Sequence, residues 1–181
     1  VRDVEDTALA FDRACRAANV RYAFMGGIAI AVWGQPRATA DVDALADLNG
    51  VDVERFASSL RNEGLDVEGR DLGDAASDGG HVTVFDKASL FHVDVKPARH
   101  ESERAELARA VELDFRGQRV RVVGAEESVA FKLSFGSPQD LQDARSILVR
   151  QQGRLDLARL RDFARRLGVE TQLDAMLDEL A

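Results

Sequence analysis

The stretch RYAFMGGIAIAVWGQPRATADVDALA, residues 21–46, decides the fold reading. Residues 21–25 are a short apolar run that stops at Gly26-Gly27, which predicts a strand. Ile28 to Val32 can then start a helix, which Gly34 and Pro36 end. Asp41 to Ala46 alternates and predicts the next strand. Residues two apart on a strand share a face, so Asp41 and Asp43 project together while Val42 points to the core. Two carboxylates held this close repel each other and gain from a divalent cation between them. Oxygen donors of this kind suit Mg²⁺, which takes one or two carboxylates and completes its octahedron with water and substrate phosphates. The glycine pair sits at a strand-to-helix turn. There it either lets backbone N–H groups approach a phosphate or simply closes a tight turn.

Outward from this segment, residues 3–18 carry apolar positions at spacings of three and four and predict a helix. Residues 52–62 predict another, and the polar, Gly-rich residues 70–80 predict a mobile loop. Two β-rich runs follow, His81–Phe85 and Leu90–Val95. In the second, Phe91, Val93 and Val95 form one face and His92, Asp94 and Lys96 the other, so Asp94 is a lone acid on a strand with an apolar inner side. Residues 111–115 and 119–123 flank Gly117 as a hairpin. From Glu126 the pattern is helical to the end, with Ser137-Pro138 opening a helix over 139–150. The expected class is α+β: a mixed sheet of about five strands flanked by helices, then a helical C-terminal tail. Two units are expected, residues 1–125 and an extension over 126–181 packed on it.

Composition narrows the function. The 181 residues hold 24 basic and 32 acidic side chains, a net charge of −8, which argues against a surface that clings as a whole to nucleic acid or anionic lipid. A single cysteine, Cys15, cannot form an intrachain disulfide and suits a cytoplasmic setting. No apolar run is long enough to span a bilayer, and the start of the chain has no signal pattern, although it opens on Val1 and an initiator Met is expected upstream. The chain lacks a Gly-x-x-x-x-Gly-Lys-[Ser/Thr] loop, a Gly-x-Gly-x-x-Gly turn, zinc-spaced Cys/His clusters and a Gly-x-Ser-x-Gly elbow. Hydride transfer, zinc hydrolysis and Ser-triad hydrolysis are therefore disfavoured. Other acid pairs, such as Asp52/Glu54 and Glu112/Asp114, read as solvated faces.

Strand, Gly-Gly, helix, then Arg37-x-Thr39-x-Asp41-x-Asp43 and a later strand with one acid form a more specific pattern than any part alone. In residues 21–46 and 90–96 (LFHVDVK) the chain resembles the polymerase-β-like nucleotidyltransferase superfamily. Residues 119–148 (RVRVVGAEESVAFKLSFGSPQDLQDARSIL, which begins at Arg119) are similar to a segment of small bacterial abortive-infection-type nucleotidyltransferases. The resemblance implies that residues 1–125 are a nucleotidyltransferase catalytic domain. It implies an NTP substrate and two Mg²⁺ ions held by Asp41, Asp43 and Asp94, the last taking the proton of an acceptor hydroxyl. Gly26 and Gly27 would cradle the β- and γ-phosphates, with Arg37, Thr39 and Lys132 completing the nucleotide site. By its residue type alone Arg37 is equally a solvated loop arginine. Asp140 and Asp143, three apart on a helix, share a face that either supports the site from behind or, the favoured reading, is solvated.

The chain departs from its relatives in two places. Many carry Gly-Ser where this chain has Gly26-Gly27, and some toxins carry a second lysine one turn from the first, where this chain offers Phe135 and Gly136. The alternative function is a non-catalytic nucleotide-binding or toxin–antitoxin module of the same fold, with a partner protein. The acceptor is RNA, protein or a small molecule such as an aminoglycoside. Residues 145–166 hold seven arginines against Asp156 and Asp162, either a guide for tRNA or a solvated amphipathic face.

Overall fold

The computed structural model describes residues 2–180. Helix α1 (Val4–Ala18) begins at Asp3, whose carboxylate accepts from the Asp6 N–H, and ends at Asn19 in the left-handed region. Strand β1 (Arg21–Phe24) leads directly into α2 (Gly26–Trp33), and β2 (Val42–Asp47) returns antiparallel beside β1. Helix α3 (Val53–Asn62), the two-residue β3 (Leu65–Asp66) and α4 (Gly69–Asp78) precede the hairpin of β4 (Val82–Asp86) and β5 (His92–Pro97). Helix α5 (Glu101–Arg109) crosses to a second hairpin, β6 (Val111–Phe115) and β7 (Gln118–Val122). Its turn places Arg116 (φ 52°) and Gly117 (φ 78°) both at positive φ, the geometry that matches strand twist in a two-residue loop. The C-terminal helices are α6 (Ala125–Phe135), α7 (Pro138–Arg150), α8 (Leu157–Arg166) and α9 (Glu170–Leu180).

All seven strands join one sheet in the order β3-β4-β5-β2-β1-β7-β6. Strands β2 and β5 run parallel, as do β1 and β7, and the other pairings are antiparallel. One face is apolar. Tyr22, Phe24, Val42, Ala44, Val93 and Val95 are all buried there, and Phe11 of α1 meets Tyr22, Phe24 and Phe56 edge-on or tilted. Aromatic pairs in this geometry contribute beyond their buried area, about 0.5–1.5 kcal/mol each. The opposite face takes the alternate residues, Asp43, His92, Asp94 and Lys96, so strand alternation alone turns the polar set away from this core.

Two expectations change. The sheet has seven strands rather than about five, because β3 adds a short edge and the β6–β7 hairpin joins the same sheet through β7. Residues 70–80 are not a mobile loop: α4 covers Gly69–Asp78 and stops at Gly79 in the left-handed region. Leu72 and Ala75, three apart, are buried beside α3 and β4, and that apolar stripe outweighs the glycines and polar residues around it.

The C-terminal helices carry a second apolar cluster, with Val129, Leu133, Ile147, Leu160 and Leu173 buried together. Helix α2 reaches both clusters: Ile30 lies in the second, and Trp33 packs against each. The Trp33 indole N–H donates to the Val123 carbonyl at 2.8 Å, and Gln151 Nε2 donates to the Trp33 carbonyl at 2.8 Å, tying α2 to α7. Among the described residues no helix is long and apolar enough to cross a membrane.

Candidate active site

The site forms where parallel β2 and β5 lie side by side. Their register sets Asp43 opposite Asp94, and β4 adds Thr83 opposite Asp94 and Phe85 opposite His92. Asp41, just before β2, joins from the preceding loop. Its Oδ1 accepts from the Thr39 hydroxyl at 2.9 Å, and Asp94 Oδ1 accepts from the Thr83 hydroxyl at 2.7 Å. One ligand atom each from Asp41, His92 and Asp94 lie within 4.8 Å of one another. Asp43 shares this sheet face, with its carboxylate set against the first turn of α2.

The glycine pair is required by that neighbour. Gly26 holds φ at +51°, and a Cβ on it would sit 1.7 Å from Asp43 Oδ2. A Cβ on Gly27 would sit 2.8 Å from the Thr39 side chain. The first turn of α2 thus presses its backbone against both an acid and the threonine that orients Asp41. Any side chain at Gly26 displaces the Asp43 carboxylate, and the left-handed backbone resists one as well.

Charge at the site is unbalanced. Burial pushes the Asp43 carboxyl above the ordinary carboxylate range, and the like charges of Asp41 and Asp94 push it further. Lys132 and His81 oppose this only in part. The set is therefore an oxygen-rich group poised for a divalent cation. Clustered carboxylates suit Mg²⁺ or Mn²⁺, so the acids fit the ions that the resemblance implies. A cavity of about 330 Å³ opens beside the carboxylates, with Gly26, Asp43, Asp94, Lys96, Lys132 and Phe135 among its lining.

Lys132 and Arg37 are held by the C-terminal helices. Lys132 Nζ lies 2.8 Å from Asp140 Oδ1 and 3.1 Å from Asp143 Oδ2. Arg37 reaches Asp143 with two nitrogens, each at 3.0 Å. Asp143 is 3 % exposed, so the expected solvated face at this position is wrong. The reason is tertiary: α7 packs on α6 and α2, and Asp143 closes beneath two cations that hold its carboxyl below the ordinary range despite burial. Arg37 is accordingly engaged within the protein, although 34 % of its side chain stays exposed. Gly26, Asp43, Asp94 and Lys132 line the cavity, while Thr39 binds Asp41 and lies against Gly27.

The arginine-rich window is largely engaged too. Arg145 pairs with Glu179, Arg159 with buried Glu127, Arg161 with Asp174, Arg165 with Glu170 and Arg166 with Asp162. Arg150 donates to the Gly34 carbonyl. Sequence reading missed Thr83 and His81. The alternation of HVTVFD, residues 81–86, carried the signal, since an antiparallel β4–β5 hairpin puts residues 81, 83 and 85 on the face of Asp94.

No family model and no curated protein matches the sequence. Solved structures do match over nearly the whole chain. The solution structure of the antibiotic-resistance factor ANT(2'')-Ia matches with a TM-score of 0.59 at 14% identity, covering 98% of this chain and 97% of that one. The crystal structure of ANT(2'')-Ia in complex with adenylyl-2''-tobramycin gives 0.57 at 15% identity, covering 88% and 97%. An antigenic nucleotidyltransferase-like protein from Paracoccidioides brasiliensis gives 0.54 at 19% identity, covering 96% and 92%. At these identities the likeness is one of fold: the chain has a nucleotidyltransferase fold with a helical C-terminus.

Proposed function

We propose that this chain transfers a nucleoside monophosphate from an NTP to a hydroxyl acceptor with the help of divalent cations. The observation that carries the reading is the meeting of Asp41, Asp43 and Asp94 on one sheet face, against a glycine turn that leaves no room for a side chain. Residues 1–125 form the catalytic domain, and residues 126–181 are an extension that contributes Lys132. Asp41, Asp43 and Asp94 would hold two Mg²⁺ ions. When bound, such ions lower the charge on the attacking and leaving oxygens of an in-line displacement. Asp94, held by Thr83, accepts the acceptor's proton. The Gly26 and Gly27 amides at the start of α2 face the triphosphate, which a helix N-terminus favours. Lys132, anchored by Asp140 and Asp143, keeps a positive charge beside Asp43. Arg37 and Thr39 hold the loop that presents Asp41.

The acceptor we favour is a small polar molecule. Arginines that could have tracked an RNA backbone are engaged by carboxylates, and the related fold of ANT(2'')-Ia was solved with adenylyl-2''-tobramycin. An NTP donor and one buried free thiol suit a cytoplasmic setting. Transfer of α-³²P from each of the four NTPs, with Mg²⁺, to aminoglycosides, tRNA or the chain itself tests the reading. A labelled small molecule, lost in Asp41→Asn and Asp94→Asn, is expected. Labelled tRNA would move the acceptor to RNA. Absence of both NTP binding by titration calorimetry and any labelled product would overturn the function.

A further inference from the structure

We infer that His92 is a metal ligand, so that the ion beside Asp94 is held by Asp41, Asp94 and one imidazole nitrogen, and prefers Mn²⁺ to Mg²⁺. This rests on the metal-dependent reading above and goes beyond its three carboxylates. His92 lies two residues before Asp94 on β5, on the same face and opposite the end of β2 where Asp41 stands. His92 Nε2 is 3.6 Å from Asp94 Oδ2, too far for a hydrogen bond. Donors about 2.1 Å from a shared octahedral ion stand about 3.0 Å apart when cis and about 4.2 Å when trans. The observed 3.6 Å falls between these, and the whole set lies within 4.8 Å, so small side-chain adjustments complete the site.

The neighbours leave the needed atoms available. Thr39 and Thr83 occupy the Oδ1 atoms of Asp41 and Asp94, which leaves each Oδ2 for an ion and fixes the carboxylate planes. Phe85, opposite His92 on β4, lies beside the imidazole with ring centroids 6.3 Å apart. His92 is partly exposed, so an incoming ion reaches it without opening the core. Asp43 is turned toward Gly26 and remains free for the second ion. Mg²⁺ strongly favours oxygen and releases water reluctantly, whereas imidazole suits the first-row transition metals. One nitrogen in the set therefore tilts selection toward Mn²⁺.

Pulsed electron paramagnetic resonance of the full chain loaded with Mn²⁺ alone reads the ligand directly, because a bound imidazole imprints ¹⁴N modulation on the echo. Modulation is expected in the wild type and in His81→Gln, which removes the histidine that lines the cavity. It should vanish in His92→Gln, whose Mn²⁺ affinity should fall at least about 10-fold while Mg²⁺ affinity changes less than about 3-fold. Circular dichroism of His92→Gln should match the wild type, since the side chain is partly exposed and outside the core. Mn²⁺ bound without ¹⁴N modulation, or modulation that survives His92→Gln, overturns the assignment; nucleotidyl transfer measured on the same protein would then still stand. Failure of both Mn²⁺ binding and transfer would remove the underlying function and the ligand together.

Discussion

Replacing Glu106 by glutamine should make the protein more stable at neutral pH and remove a pH dependence that the wild type shows. Glu106 on α5 is 5 % exposed and Glu127 on α6 is 1 % exposed. Arg159 of α8 binds Glu127 Oε1 at 2.5 Å, but Glu127 Oε2 and Glu106 Oε2 find no hydrogen-bond partner among the described residues. Burial, then the charges of Glu127 and Glu103, push the Glu106 carboxyl from the ordinary 4.5 up to about 7, against the opposing pull of Lys96 and Arg109. Below pH 4.5 the group is protonated folded and unfolded, and its contribution is fully favourable. As pH rises toward 7 the unfolded chain releases the proton first, so stability falls, and above about 7 the loss is complete. The gap of about 2.5 pH units (7 − 4.5), at about 1.36 kcal/mol each, gives about 3 kcal/mol. For a chain of 181 residues that is about 6–12 °C in Tm. Urea denaturation of wild type and Glu106→Gln at pH 5, 6, 7 and 8 measures it. The variant's advantage should grow by about 2.5 kcal/mol from pH 5 to pH 8, the first part of the loss having occurred below pH 5. A difference that stays constant within about 0.5 kcal/mol across that range would refute the buried-acid argument.

Other outcomes follow from the same geometry. Asp43→Asn removes a buried charge crowded by Asp41 and Asp94, so thermal melting without metal should rise above wild type at pH 7 while nucleotidyl transfer falls by about 10³-fold. A melting point that drops would contradict the charge crowding. Gly26→Ala forces a Cβ into Asp43 Oδ2 at a left-handed backbone position and should cost more than about 1 kcal/mol in urea denaturation, together with most of the transfer activity. Asp143→Ala removes the carboxylate of Arg37 and leaves Lys132 on Asp140 alone, and should destabilise by about 1–3 kcal/mol. Asp143→Asn, which keeps the shape and one acceptor oxygen, should recover part of that loss.

Local pattern made much of this legible. Alternation around Val42 and Val93 placed Asp43 and Asp94 on the polar sides of their strands, and the Gly26-Gly27 break marked the turn into α2. Residues 70–80 misled because composition describes solvent preference, while Leu72 and Ala75 needed a partner surface, supplied by α3 and β4, to become helical. Thr83 was hidden for a different reason: its role depends on register across the β4–β5 hairpin, which no single strand specifies.

The sequence by itself determined the element types near the site, the acids available to it and the glycines its turn requires, because each depends on residues a few positions apart. Tertiary structure alone decided that Asp94 stands opposite Asp43, and that Asp143 of α7 holds both Arg37 and Lys132. It also decided that Arg159 meets the buried Glu127, while Arg145, Arg161, Arg165 and Arg166 pair with carboxylates at the surface. Asp43 and Asp94, Arg37 and Asp143, and Arg159 and Glu127 lie tens of positions apart, and partners at that range are chosen by how helices and strands pack rather than by what lies beside them in the chain.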